Sequence, residues 1–299
     1  MKTQKYALPV LVTMVWSLIF ISSAVFAQKS VDETRKVSSK AEISISNISG
    51  SVTVAGWSKN EIHITGELGE KVERLDIKGD EDQLDIEVVI PRHANRVGDT
   101  FLEIHLPENC RVNISTVSAD IDVDKVSGKL FLESVSGDFD VRGKPELLDL
   151  ESVSGDMDLQ VETHRINISS VSSDIELKNI DGELDCETVS GDIRIEGGEF
   201  TDVGIESVSG DINFNGDLNN RCSCDLNSHS GDITLALSKS ASADFEVSTF
   251  SGSIENDFGA NGRRTSDYTP GRELHFTMGS GDATVRIETF SGDIVIGER

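Results

Sequence analysis

Apolar and polar residues alternate along most of this chain, and the alternation returns at a fixed interval. Leu130-x-Leu132, Leu148-x-Leu150, Ile166-x-Ile168 and Leu184-x-Cys186 lie 18 residues apart. Val203-x-Ile205, Cys224-x-Leu226, Phe245-x-Val247 and Val285-x-Ile287 continue the series. A second pair follows each of the earlier ones: Phe139/Val141, Met157/Leu159, Ile175/Leu177, Ile193/Ile195, Ile212/Phe214 and Ile233/Leu235. Period-two alternation marks a strand with one buried face. Each repeat therefore predicts two short strands, and all their buried faces can share one core.

Between the two strands stands Ser-Gly-Asp or a close copy. Its Gly, or the residue replacing it, falls at positions 119, 137, 155, 173, 191, 210, 231, 252 and 292, so the intervals are 18 four times, then 19, 21, 21 and 40. A period near 20 with constant apolar phase is the mark of stacked repeats. A half-period of nine also shows, since Val126-Ser127-Gly128 precedes Val135-Ser136-Gly137 by nine residues. Leu148 and Leu150 are even whereas Val153, Met157 and Leu159 are odd. A bulge or corner between Leu150 and Val153 would keep all five inside. Gly137, Gly155, Gly191, Gly210, Gly231, Gly252 and Gly292 then read as corner residues free to take positive φ, with Asp and Ser bonding turn amides.

Strand, corner, strand, corner predicts an all-β, single-stranded parallel β-solenoid of about 18–21 residues per coil, its rungs ~4.8 Å apart. The rule for parallel crossovers makes it right-handed, and a nine-residue unit argues against the six-residue left-handed helix. Residues 28–111 are less regular, with strand patterns at Ile43/Ile45, Val52/Val54, Ile62/Ile64, Leu84/Ile86/Val88 and Leu102/Ile104/Leu106 and a hairpin signal at Gly79-Asp80. They predict an N-terminal β cap merging into a solenoid over 112–299. Residues 257–272 carry no pattern and predict a loop inserted in the last rungs.

The first 27 residues read as a targeting segment. Lys2 and Lys5 precede an apolar run from Ala7 to Phe26, and Val25-Phe26-Ala27 offers a cleavage site before Gln28. This predicts a secretory signal peptide; an uncleaved anchor is the alternative, since the run is long enough to span a bilayer. The protein is then expected in the periplasm, on the cell surface or secreted, with no membrane insertion after cleavage. Formal charge is −26, and removing those two lysines makes it −28. Such a chain is repelled by nucleic acid and anionic headgroups, so nucleic acid is excluded as a partner.

Candidate chemistry is sparse. His63, His93, His105, His164, His229 and His275 occur in no zinc-protease motif, and no nucleophile elbow or phosphate-binding glycine loop is present. His63, His105 and His275 alternate with apolar residues as outward strand positions do, while His229 replaces a corner Val and is expected to be partly buried. Cys222 and Cys224 are too close for an unstrained bridge; Cys186 and Cys224 take the places of Leu or Ile, as small buried side chains would. Stacked rungs bring Asp138, Asp156, Asp174, Asp192, Asp211 and Asp232 into one column. Calcium would suit such oxygen ligands, but the calcium-binding Gly-Gly-x-Gly-x-Asp set never occurs. Turn-capping Asp residues facing water are the expected reading, with no cofactor.

The chain resembles the bacterial putative-adhesin family of exported Ser-Gly-Asp β-solenoid domains, a domain class of unknown function. The resemblance rests on Ile48-Ser49-Gly50-Ser51-Val52 with Gly56-Trp57, on Glu103-Ile104-His105-Leu106-Pro107, and on Gly279-Ser280-Gly281-Asp282-Ala283 before Phe290-Ser291-Gly292-Asp293-Ile294. It implies a non-catalytic envelope or surface protein, an adhesin or scaffold whose partner is unknown, and no catalytic residues. Two alternatives stand beside it. One is a carbohydrate-binding or carbohydrate-active module with its site near the 257–272 loop or Trp57. The other is end-to-end self-association, because the chain stops within a strand pattern at Ile294-Val295-Ile296 and open edges recruit strands.

Overall fold

The computed structural model describes residues 29–93, 97–266, 268 and 270–299. The expected signal peptide, 1–27, lies outside them. Every regular element among the described residues is a strand, and all strands join one sheet system.

The alternating pairs stack as the period requires. Strand Leu147–Ser154 pairs in parallel with Lys129–Ser136 on one side and Arg165–Ser172 on the other, with Leu148 opposite Leu130 and Ile166. The column continues through Leu184, Val203 and Cys224. The second strands do the same, from Phe139 through Met157, Ile175, Ile193 and Ile212 to Ile233. Leu148, Leu150, Met157 and Leu159 are all buried, and equivalent residues of every rung form one continuous apolar core. In-register stacking puts like on like, which is why each column holds one class of side chain.

One residue of the corner is placed differently from its parity reading. Val153 is 48% exposed, whereas Ser152 is buried. The inward phase runs Leu148, Leu150, Ser152, and it changes across Ser154-Gly155-Asp156 rather than before Val153. A serine suits the inner place because its hydroxyl can be satisfied there: Ser152 Oγ donates to Ser154 O at 3.1 Å, Thr188 Oγ1 to Ser190 O at 3.1 Å, and Thr249 Oγ1 to Gly292 O at 3.0 Å. A valine in that place would leave those carbonyls without their side-chain donor.

The glycines answer chiefly to close approach. Gly155, Gly191 and Gly210 have positive φ, as expected, but Gly137, Gly231, Gly252 and Gly292 are not among the positive-φ residues. A Cβ on Gly231 would lie 2.0 Å from the carbonyl oxygen of Gly210, and one on Gly155 would lie 2.2 Å from that of Gly137. Rung backbones meet at this column, and no side chain fits between them.

Both ends depart from chain order. Strand Glu42–Trp57, first of the regular rungs in sequence, lies between Arg111–Val126 on one side and Gln83–Val89 with Thr100–Pro107 on the other. Residues 42–57 thus extend the same core beyond position 111. At the far end, Ala283–Ser291 lies between the later part of Ile212–Ser230 and Ala243–Ser251. Ile294–Glu298 likewise lies between Ile233–Leu237 and Ile254–Asn256. The chain therefore does not stop at an open edge, because its last strand is paired on both sides. Antiparallel strands cover most of both ends: Lys29–Lys36 on Glu61–Leu68, Arg74–Gly79 on Gln83–Val89, and Arg272–Met278 on Ala243–Ser251, while the short Ile254–Asn256 is an edge strand parallel to Ile294–Glu298. The hairpin expected at Gly79-Asp80 is the second of these. Within 257–272, Arg263–Arg264 pairs with the start of Arg272–Met278.

Gly231→Ala is expected to destabilise the fold by about 1–3 kcal/mol, the range for overpacking, although its φ is ordinary. Val153→Ala, at an exposed position, should cost about 0.5 kcal/mol. Urea denaturation of the two variants would check the contrast.

Candidate functional site

Since inner and corner positions are occupied with stacking, any site must be built from outward columns. The corner aspartates form the first. Asp156 N donates to Asp138 Oδ1 at 2.9 Å, Asp192 N to Asp174 Oδ1 at 2.9 Å, and Asp211 N to Asp192 Oδ1 at 2.9 Å. Asp232 N donates to Asp211 Oδ1 at 2.9 Å, and Asp293 N to Asp232 Oδ1 at 2.7 Å. The carboxylates of Asp138, Asp174, Asp192, Asp211 and Asp232 thus receive the amide of the adjacent rung, not an amide of their own turn. A charge-assisted bond of this kind offsets part of the repulsion within a column of like charges. Among the described residues no group of three or more His, Cys, Asp or Glu side chains is arranged to hold a metal ion.

Two residues further along the strand runs a second acidic column, Asp122, Asp140, Asp158 and Glu176. With Asp138, Asp156 and Asp174 it walls an open groove of about 510 Å³. Arg142 Nη2 lies 2.6 Å from Asp140 Oδ2, and Lys178 Nζ lies 3.3 Å from Asp158 Oδ1 and 3.1 Å from Glu176 Oε2. Among the described residues no cation is bonded to Asp122, whose carboxylate accepts from Thr53 Oγ1 at 3.4 Å. Desolvation pushes its carboxyl above the usual range, and neighbouring Asp140 adds to the rise.

On the other strand, the first of each rung, the outward face carries Val117, Val135, Val153, Val171, Val189 and Val208, all about half exposed. The row continues as His229, Phe290 and Phe250. Phe290 stacks on His229 at 5.1 Å and on Phe250 at 4.8 Å between ring centroids. His229 is therefore exposed, not partly buried as expected at the sequence level. Below the row, two buried hydroxyls, Ser207 Oγ and Ser228 Oγ, have no hydrogen-bond partner among the described residues.

The two places where the repeat fails do not converge. Trp57 lies in the N-terminal rungs. Its ring faces His105 at 5.3 Å, Lys59 Nζ lies 4.3 Å over it, and Nε1 donates to Glu61 O. Tyr268 is almost fully exposed in the inserted segment. In the aromatic ladder at the far end Phe290 is stacked on both faces, between His229 and Phe250, so its ring faces are covered. His63 and His105 stand opposite each other, and His63 Nε2 lies 3.0 Å from Asp32 Oδ1.

Cys110, Cys186, Cys222 and Cys224 are buried and free. Burial pushes the thiols of Cys186 and Cys222 up to about 12, that of Cys110 up to about 11, and that of Cys224 higher still than its usual value. The thiolate, which is the reactive form, is suppressed at neutral pH. Cys186 lies in the column of Ile168 and Ile205, and Cys224 in the adjacent inward column of Val203 and Val285, the apolar places their spacing indicated.

A family model, Toastrack DUF4097, matches the chain three times in overlapping stretches, 101–183, 143–218 and 182–297. No curated protein matches significantly. Several solved structures resemble it distantly. A putative adhesin from Parabacteroides distasonis is 10% identical, covers 91% of this chain and 98% of its own, and has a TM-score of 0.46. A putative lipid binding protein from the same species is 12% identical, covers 90% and 96%, and has a TM-score of 0.44. A putative adhesin from Bacteroides fragilis is 12% identical, covers 90% and 97%, and has a TM-score of 0.34.

The raised Asp122 carboxyl has a definite stability consequence. Its folded pKa lies above its unfolded one, so its contribution is fully present below the unfolded value and is lost as pH rises through the folded value. Ionised Asp122 is thus a liability at neutral pH. Asp122→Asn should raise the melting temperature at pH 7 and leave it unchanged near pH 3, as calorimetry at the two pH values would show.

Proposed function

The chain belongs to the Toastrack DUF4097 family, and from that premise we propose that it is a non-catalytic exported envelope protein, an elongated binding scaffold or adhesin. The observation that carries this reading is the stack itself. One rung after another, from 42–57 to 283–298, sets its outward residues in the same columns, so the rod displays long rows, valine through six rungs and mostly acidic residues or serine beside them, in place of one concave pocket. Uniform rows suit an extended partner met along the axis. They do not concentrate a nucleophile, a base and an oxyanion donor at one point, as acyl-transfer chemistry requires. We read the coil as right-handed on the rule for parallel crossovers.

Export rests on the apolar run before Gln28, and it fits a chain whose charge of −26 keeps it soluble and apart from anionic surfaces. The partner is then an envelope or surface component and not nucleic acid. Association end to end would have to proceed through the antiparallel caps. The N-terminal caps carry a charged strand in which Arg74 and Lys78 both bind Asp76, and charged edges discourage strand addition.

No resident metal is needed for this role, since the corner carboxylates already receive backbone amides. Thermal melts in EDTA and in excess calcium should coincide; a calcium-dependent rise would place cations in the aspartate column. Export makes an independent prediction. Mass spectrometry of the protein recovered from the cell envelope should place its N-terminus at Gln28, as glutamine or as its pyroglutamate; an intact Met1 would overturn cleavage, and a cytoplasmic location would overturn export.

A further inference from the structure

The structure carries a row of apolar side chains that the fold does not use up. Val117, Val135, Val153, Val171, Val189 and Val208 occupy one outward position in six successive rungs, and each is 48–49% exposed. Stacking on its neighbours covers one half of each valine and leaves the other half facing water. Six steps of the stack, five intervals at ~4.8 Å, make a ridge roughly 24 Å long.

Beside the ridge, two residues earlier on each strand, run Ser115, Glu133, Glu151, Ser169, Glu187 and Glu206 in that order. The two rows enclose shallow grooves of about 370 and 420 Å³ along the rod axis. The surface therefore pairs an apolar ridge with a parallel acidic row at constant spacing. Among these six rungs no basic residue occupies either row.

We propose that this face is a docking site for a basic amphipathic α-helix of a partner protein, laid along the rod axis. Geometry and charge select that occupant. An extended segment crossing the face of a sheet would leave its own amides and carbonyls unpaired, whereas a helix satisfies them internally. A helix repeats every ~5.4 Å against ~4.8 Å for the rungs. An apolar stripe can therefore follow the valines for about four turns before slipping half a step, and a ridge of roughly 24 Å takes about 16 residues. Lysine or arginine on the flank of that helix would meet the glutamate row. A second copy of this chain is disfavoured, because its own glutamates would face these. An anionic lipid surface is disfavoured for the same reason.

The inference deepens the scaffold reading by naming a partner chemistry, and its failure leaves export and processing untouched. The test uses the full chain and a fluorescent synthetic helix of 16 residues, a length matched to the ~24 Å ridge, with a leucine stripe flanked by lysines. Comparison peptides are a scrambled form without the stripe and a form with glutamate in place of lysine. Anisotropy should show saturable binding of the first peptide only. The combined variant Val135→Thr, Val153→Thr, Val171→Thr, Val189→Thr keeps β-branched side chains on an exposed face, and circular dichroism would confirm that it folds. It should weaken binding about tenfold or more. The combined variant Glu133→Gln, Glu151→Gln, Glu187→Gln, Glu206→Gln should weaken binding and flatten its salt dependence. Equal binding of the scrambled peptide, binding unmoved by either variant, or no binding would overturn the proposal. So would light scattering that shows a dimer dispersed by the threonine variant, since the ridge would then be covered by a second copy.

Discussion

Backbone pairing between successive rungs is the interaction on which the rest of this structure depends. Adjacent strands can pair in register only if their chains stay ~4.8 Å apart all the way round the coil, corners included. At the corner this demand is most severe. The Gly231 Cα stands so close to the previous rung that an added Cβ would lie 2.0 Å from a carbonyl oxygen. The neighbouring aspartate is set by the same demand, because the amide left at the bend is claimed by the carboxylate of the rung before it. Serine or threonine on the inner side adds a hydroxyl donor to corner carbonyls in several rungs, from Ser152 to Ser154 O, Thr188 to Ser190 O and Thr249 to Gly292 O. Ser-Gly-Asp is therefore a device for turning a stacked backbone while the amides of the bend stay paired.

A stack of parallel strands has two open ends, and each end is an invitation to another strand. This chain deals with both in the same way. The regular rung nearest each terminus is placed one step inward, and antiparallel strands cover the outside, leaving at the far end only the three-residue strand Ile254–Asn256 as an edge. Ser230 thus pairs with Ser291, 61 residues on, while Ser251 pairs with the same Ser291 from the other side. The last rungs cannot form simply by winding on in chain order. Residues 243–256 must leave room that 283–298 fills, and such non-local closure costs loop entropy before it gains contacts.

The period, the two strands per rung and the core columns could be read from the sequence because they follow from spacing alone. Leu130, Leu148 and Ile166 are opposite one another, as their 18-residue interval requires. Three features escaped it for physical reasons. Parity places Val153 inside with Met157 and Leu159, but the hydrogen-bonding need of the corner puts Ser152 there instead. An aspartate beside a turn suggests a cap for that turn, but which amide a carboxylate reaches depends on the distance between rungs. The order of the final rungs was hidden because spacing identifies equivalent positions and says nothing about which equivalent lies next to which. Gly79-Asp80 was legible as a hairpin, being local; the pairing of Ile294–Glu298 was not.

Function must then be sought in what stacking leaves over. A rung has inward positions given to the core, a corner given to the glycine, serine and aspartate, and only a few outward positions with no structural duty. If those served solubility alone, one polar residue would do as well as another, and each rung could differ. Acidic residues on one strand fit that requirement, since they also prevent sideways association. A half-exposed valine in six consecutive rungs does not, because threonine has a similar shape and β preference without the apolar exposure. Repetition of a side chain that the fold does not need, at a position where water penalises it, is the feature that distinguishes a binding surface from a scaffold's outer skin.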